Sequence, residues 1–158
     1  MTGEKVREMS NLVIVRHGEY GRDMRLNAKG RDQMYNMAEI LQGVLARKNT
    51  AHILSSTAPR ALDSAKILSE ILNVPIEEHE LLWSESGHPE DLDGAYGPIK
   101  SLQEKADLGI VVTHLEYAES LPPFLLEKEF NKFASSREVR KGEGVLLDYR
   151  REILIYLK

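Results

Sequence analysis

Short β-branched apolar runs alternate with amphipathic helical segments along this chain, and the alternation constrains the fold more than any other feature. The predicted strands are 11–15, 51–55, 76–79 and 108–113, and the predicted helices are 28–47, 59–72 and 99–106. In the first helix the apolar positions step by three and four, and Asn27 precedes it as an N-cap. This order predicts a three-layer α/β/α domain with a mostly parallel central sheet.

The C-terminal third has a different pattern. Residues 116–133 are helical in apolar spacing, but Pro122 and Pro123 are expected to break this helix or to start a second one. The runs 144–148 and 153–157 resemble a hairpin. We expect this hairpin to add an antiparallel edge to the sheet.

Length and composition narrow the class of protein. The chain has 158 residues, no cysteine and a formal net charge of −4 at pH 7. This length fits one domain, placed at residues 11–158 behind a polar, flexible tail at 1–10. Without cysteine there are no disulfides, thiolate metal sites or cysteine nucleophiles. The acidic balance argues against nucleic acid as a partner, and no apolar run approaches the ~20 residues of a membrane-spanning helix. We therefore expect a cytoplasmic protein that binds neither nucleic acid nor membrane.

Polar residues follow three of the predicted strands at the point where each strand ends. Arg16, His17 and Gly18 follow the first strand, Arg60 comes shortly after the second, and His114 follows the fourth. Ligands of open α/β sheets bind outside the carboxyl ends of the strands. One histidine at a strand end is usually structural, but two histidines and two arginines on one rim indicate a functional site.

This set of side chains suits phosphoryl transfer. A neutral imidazole can attack phosphorus and form a phosphohistidine, while arginine guanidinium groups bind the phosphoryl oxygens in a bidentate manner. A second histidine, if protonated, adds another donor, and Gly18 lets the backbone pass close to the phosphate. Neither a metal nor a cofactor is expected. A phosphate or sulfate ion is expected to fit the site.

Four segments resemble, in order, the signature segments of the histidine phosphatase superfamily, which also contains the cofactor-dependent phosphoglycerate mutases. Leu12–Glu19 is similar to the opening strand with its Arg-His-Gly signature, and Leu26–Gln33 is similar to the start of the first helix. Ile53–Ala61 resembles the Ser-Ser-x-x-x-Arg-Ala segment, and Ile110–His114 resembles the strand with the second histidine. The resemblance implies a phosphoglycerate mutase-like fold.

The resemblance also implies roles for the matching residues. His17 is expected to be the phosphorylated nucleophile, and Arg16, Gly18, Arg60 and His114 are expected to form the phosphate pocket. The implied activity is metal-independent hydrolysis of a phosphomonoester or of protein phosphohistidine through a phosphohistidine intermediate. Its partner would be a phosphorylated protein or a small phosphorylated substrate.

The branch within the superfamily is indicated by two features. The chain is short, and Leu115 follows His114, where mutases and many sugar phosphatases usually have glycine. Both features are most similar to the small phosphohistidine phosphatases. Two alternatives stay open, namely a mutase or sugar-phosphate phosphatase, and a module that binds phosphorylated ligands without turning them over.

The proton donor for the leaving oxygen is a separate question. Many members of the family use a carboxylate after the third strand, and Glu85 is the first choice here. A phosphohistidine substrate relaxes this need, because imidazole is a better leaving group than an alkoxide. The competing acids are Glu80, Glu90 and Asp91, and the residues expected to line the substrate are Arg22, Asn27 and His88.

A basic cluster comes late in the chain. Arg137, Arg140 and Lys141 precede Gly142. Such a cluster is usually a solvated face, but it can also steer an acidic protein partner.

Overall fold

A computed structural model describes residues 9–85 and 89–158 of the chain. Most of the tail predicted at 1–10 therefore lies outside the described residues. Its last two residues pack against the domain. The side chain of Met9 is buried, and the backbone N–H of Ser10 donates to the carbonyl of Asp107 at 2.8 Å. Met9 and Ser10 thus belong with the folded domain.

One six-stranded sheet organises the molecule, and its central strands are β1 and β4. The strands are β1 Asn11–Arg16, β2 Ala51–Ser55, β3 Ile76–Glu78, β4 Leu108–Thr113, β5 Gly144–Asp148 and β6 Ile153–Leu157. Their spatial order is β3-β2-β4-β1-β5-β6. The first four strands in this order pair in parallel, and β5 and β6 pair antiparallel. The mostly parallel sheet and the antiparallel hairpin at its edge are both confirmed.

Helices cover both faces of the sheet. They are α1 Ala28–Leu45, α2 Pro59–Leu72, α3 Leu92–Lys105 and α4 Leu115–Phe130. Side chains of α1 and α2 share one buried cluster with alternate residues of the central strands, such as Val13 and Ile110. Side chains of α3 and α4 share the opposite cluster with Leu12 and Val111. The three-layer arrangement follows, because a strand buried on both faces needs an apolar cover on each. No helix in the described ranges combines the length and the apolar character needed to cross a membrane.

The expected break at Pro122 and Pro123 is wrong, because α4 continues through both prolines. A proline inside a helix leaves the carbonyl four residues earlier without its backbone donor. For Pro123 that carbonyl belongs to Glu119, and it accepts a hydrogen bond at 3.0 Å from the hydroxyl of Ser136 instead. A side chain from the following segment thus replaces a donor that the helix lacks.

Helix α3 begins earlier than the prediction of residue 99. It starts at Leu92, where the carboxylate of Asp91 accepts from the backbone N–H of Gly94 at 2.9 Å. The first half of α3 contains two glycines and Pro98, all weak helix formers. The cap and the burial of Ala95 and Ile99 outweigh those weak propensities.

Candidate active site

The two central strands bring the two predicted histidines together. Arg16 pairs with Thr113 at the ends of β1 and β4, so the next residue of each strand is a histidine. The backbone N–H of His17 donates to the carbonyl of Thr113 at 3.0 Å. The centroids of the His17 and His114 rings lie 5.1 Å apart, with an interplanar angle of 68°. Both side chains are buried.

The hydrogen bonds of His17 determine its tautomer. Its Nδ1 lies 2.8 Å from the carbonyl oxygen of Gly18. A carbonyl oxygen can only accept, so Nδ1 carries the proton and donates it. In the neutral ring, Nε2 therefore holds the lone pair. A neutral imidazole with this tautomer can use Nε2 as a nucleophile.

The surroundings of His17 keep its ring neutral. Burial is the largest cause that lowers the pKa of His17, and the positive charges of Arg60, Arg16 and Lys141 lower it further. The hydrogen bond to Gly18 acts in the opposite direction. Together they bring the pKa of His17 to about 4. At neutral pH the lone pair on Nε2 is therefore not occupied by a proton.

Close backbone packing holds the segment after His17. A Cβ placed on Gly18 would lie 2.6 Å from the carbonyl oxygen of Gly30, and a Cβ on Gly30 would lie 2.0 Å from the carbonyl oxygen of Glu19. Only glycine fits at either position, because the atoms in the way are backbone. The start of α1 thereby presses against the loop that follows the nucleophile.

Ser64 joins this loop to α2. The backbone N–H of Gly18 donates to Ser64 Oγ at 3.0 Å, and Ser64 Oγ donates to the carbonyl of Arg60 at 2.8 Å. Ser64 is fully buried. The hydroxyl thus fixes the helix turn that carries Arg60 relative to the residue after the nucleophile.

The candidate site is a cluster of side chains formed around Arg16, His17, Arg60 and His114. Arg60 is a buried cation of this cluster. Its Nη2 lies 3.0 Å from Oε2 of Glu85, and its Cζ lies 4.9 Å from the ring centroid of Tyr20. Its Nε is buried and has no acceptor among the described residues. A buried N–H donor without an acceptor is costly, so a phosphoryl oxygen bound here would satisfy it.

Arg16 lies at the end of β1. Its Nη1 donates to the carbonyl of Val139 at 3.0 Å, which holds one side of the guanidinium group. Its Nε is buried and, within the described ranges, has no acceptor either. Two arginines thus offer buried N–H donors near His17, a suitable arrangement for the oxygens of a phosphoryl group.

His114 is held by its neighbours. Its Nε2 lies 2.8 Å from Ser56 Oγ, at the end of β2. The indole ring of Trp83 lies nearly parallel to the imidazole, with centroids 6.3 Å apart. These contacts fix the plane of the His114 ring beside His17.

Of the four acids considered as proton donors, Glu85 is the one whose carboxylate contacts the cluster in the described structure. Asp91 caps α3, and Glu90 accepts from the hydroxyl of Ser120 on α4. Glu80 begins a single 3₁₀ turn before Trp83.

The structure places the three residues expected to line the substrate in different surroundings. Asn27 caps α1, since its Oδ1 accepts from the N–H of Gly30 at 2.8 Å, and its Nδ2 donates to Glu19 at 3.3 Å. Both polar groups of Asn27 are therefore engaged in holding the start of the helix. Arg22 is exposed in the loop before α1. His88 lies outside the described residues.

Tyr20 and Lys141 are close to the cluster although the sequence patterns gave Tyr20 no role and placed Lys141 only in a surface cluster. The ring centroid of Tyr20 lies 5.4 Å from that of His17, and Lys141 Nζ lies 5.1 Å from the Tyr20 centroid. Tyr20 is only three residues after His17, and this short spacing could have indicated that its ring lies near the site. Lys141 lies 121 residues after Tyr20 in the sequence, so no local pattern predicts the contact between them.

Metal-ligating side chains do not converge in the described part of the chain. Over residues 9–85 and 89–158, no three His, Asp or Glu residues form a group that could hold a metal ion. The described cluster brings together two imidazoles, two guanidinium groups and one carboxylate.

Comparison with known proteins agrees with this geometry. The sequence model of the histidine phosphatase superfamily (branch 1) matches residues 12–84, which contain Arg16, His17 and Arg60. No curated protein matches the sequence at a significant level.

Solved structures match over nearly the whole chain. The protein histidine phosphatase SixA complexed with tungstate is 19% identical, covers 94% of each chain and has a TM-score of 0.68. A mycobacterial glucosyl-3-phosphoglycerate phosphatase complexed with VO3 is 17% identical, covers 96% of this chain and 97% of its own, and has a TM-score of 0.67. At these identities the likeness shows the fold. The resemblance predicted from the sequence is therefore confirmed, since residues 12–84 match the histidine phosphatase superfamily in sequence and the whole domain has the phosphoglycerate mutase-like fold.

Proposed function

We propose that this protein is a metal-independent phosphatase that hydrolyses phosphomonoesters or protein phosphohistidine through a phosphohistidine intermediate on His17. The observation that carries the proposal is the state of this ring. Its Nδ1 donates to the carbonyl of Gly18, and its pKa is lowered to about 4. A neutral ring with the lone pair on Nε2 is the form that attacks phosphorus.

In the first step, Nε2 of His17 forms a bond to phosphorus while the bond from phosphorus to the leaving group breaks. The buried N–H groups of Arg16 and Arg60 bind the equatorial oxygens, where charge is spread in the transition state. In the second step a water attacks phosphorus, the N–P bond breaks, and inorganic phosphate leaves. His114, whose Nε2 lies 2.8 Å from Ser56 Oγ, is proposed to donate to the transferring group.

Glu85 is proposed to protonate the leaving oxygen of an ester substrate. In the free protein its carboxylate contacts Arg60 at 3.0 Å. A phosphoryl group that binds Arg60 competes for this guanidinium group, and Glu85, once it has taken up a proton from solvent, can turn and donate that proton to the leaving oxygen. In the second step the attacking water returns a proton to Glu85. Substrate binding and acid catalysis would thereby be coupled through one arginine.

Protein phosphohistidine is the substrate that we favour within this class. The short chain and Leu115 after His114 support it, as does the structural likeness to the protein histidine phosphatase SixA. The likeness to a glucosyl-3-phosphoglycerate phosphatase is equally close and supports the shared reaction rather than either substrate.

The test is hydrolysis of an aryl phosphate and of a phosphohistidine peptide in the presence of EDTA. We expect turnover by the wild type and a loss of at least about 1,000-fold in His17→Asn, because covalent catalysis is removed. His52→Asn on β2 is the matched control and should retain activity. EDTA-resistant turnover that survives in His17→Asn would refute the nucleophile. Binding of phosphate by a wild type that turns over neither substrate would favour the non-catalytic alternative.

A further inference from the structure

A groove of about 340 Å³ lies beside the candidate active site, between α1 and the loop 140–143 that precedes β5. Its lining contains one acidic and four basic side chains, namely Glu143 and Lys29, Arg140, Lys141 and Lys158. We call it the basic groove. The chain as a whole has a net charge of −4, so this concentration of positive charge is local.

Lys141 connects the basic groove to the nucleophile. Its ammonium lies over the ring of Tyr20, which in turn contacts His17 edge to face. The backbone of the loop is fixed as well. The N–H of Gly142 lies 3.0 Å from the carbonyl oxygens of both Arg16 and His17. The groove and the phosphate pocket therefore share a wall whose position is set by hydrogen bonds to the residues of the site.

Three of these basic side chains, those of Lys29, Arg140 and Lys141, differ in whether a carboxylate neutralises their charge. Lys29 Nζ lies 3.4 Å from Glu19, and Arg140 Nε lies 3.8 Å from Glu138. Within the described ranges, no carboxylate forms an ion pair with Lys141. Its charge rests on an aromatic face instead, a contact that leaves the ammonium able to bind an anion.

We propose that the basic groove binds an acidic segment of a phosphorylated protein, and that Lys141 contacts a carboxylate close to the phosphorylated residue. This inference rests on the proposed function and narrows its substrate class. With the phosphoryl group at His17, the flanking chain would pass Tyr20 and Lys141 and continue along α1. Complementary charge on such a rim affects encounter and specificity more than the chemical step.

The experiment compares two phosphohistidine peptides that differ only in their flanking residues, Asp and Glu in one and Asn and Gln in the other. Para-nitrophenyl phosphate, which has no flanking chain, is the third substrate. We expect kcat/KM to be about fivefold to tenfold higher for the acidic peptide, mainly through KM, and to lose this preference in high salt. In Lys141→Met the acidic-to-neutral ratio should fall to about two or less, and Lys141→Arg should restore it.

Lys100→Met is the matched control, because Lys100 also lies over a tyrosine ring, that of Tyr96, but on α3 at the opposite face of the sheet. It should keep the wild-type ratio. Equal kcat/KM for both peptides, or a ratio that Lys141→Met leaves unchanged, would overturn the inference. Turnover of para-nitrophenyl phosphate without turnover of either peptide would also overturn it while the proposed phosphatase activity stands. Loss of all turnover would instead count against the proposed function.

Discussion

The buried neutral state of His17 should make the stability of the protein depend on pH in a specific way. In the unfolded chain this histidine has an ordinary pKa of about 6.5, whereas in the folded protein the pKa is about 4. Between these values the unfolded chain binds a proton that the native protein does not. The free energy of unfolding therefore falls as the pH drops from 6.5 toward 4.

The size of this effect follows from the two pKa values. The difference of about 2.5 between them is equivalent to about 3.4 kcal/mol, which is lost in full only below pH 4. By pH 5 the loss is about 2 kcal/mol. Screening by water reduces this free energy only slightly, because His17 is only 3% exposed.

The assay is chemical denaturation of the wild type and of His17→Asn at pH 7.5 and at pH 5. Asparagine keeps an N–H donor where Nδ1 donates to Gly18, but it does not titrate. Other titrating groups contribute to both proteins and cancel in the difference. We expect the wild type to lose about 2 kcal/mol more than the variant on going to pH 5. A difference below about 0.5 kcal/mol would refute a neutral buried His17.

Two further predictions concern the neighbours of the nucleophile. Glu85→Gln should slow an alkyl phosphate by about 100-fold but an aryl phosphate or phosphohistidine by about tenfold at most, because only the alkoxide needs a proton; equal losses in kcat on all three substrates would remove Glu85 as the acid. Ser64→Ala should lower the free energy of unfolding by about 1–3 kcal/mol, because the buried N–H of Gly18 loses its acceptor. Denaturant melts measure this change. Ser69→Ala, at a half-buried serine on the same helix, is the control for the loss of a hydroxyl group and should have a smaller effect.

The layout of the fold and the position of the rim followed from local patterns. A β-branched apolar run predicts a buried strand, and His17 and His114 directly follow the two runs that form β1 and β4. Because the two strands pair in register, the residues after them become neighbours. The role of Asn27 as the N-cap of α1 could also be predicted, because the residue directly precedes apolar positions that are spaced as in a helix.

The features that could not be predicted depend on contacts between distant segments. Pro122 and Pro123 indicate a break in any isolated helix, and the hydroxyl of Ser136, which lies beyond the helix end, replaces the donor that the helix loses at Pro123. The approach of Lys141 to Tyr20 has the same origin. Nothing in either local sequence specifies it, because the loop reaches its place through the pairing of β5 with β1.

The position of β1 and β4 in the middle of the sheet has a consequence for how activity and folding are related. Central strands open to solvent only when most of the domain opens, whereas edge strands and loops open in small local events. Both histidines are attached to the ends of these central strands. The reactive geometry should therefore survive fraying of β3 and β6 and disappear together with the cooperative unit of the whole domain.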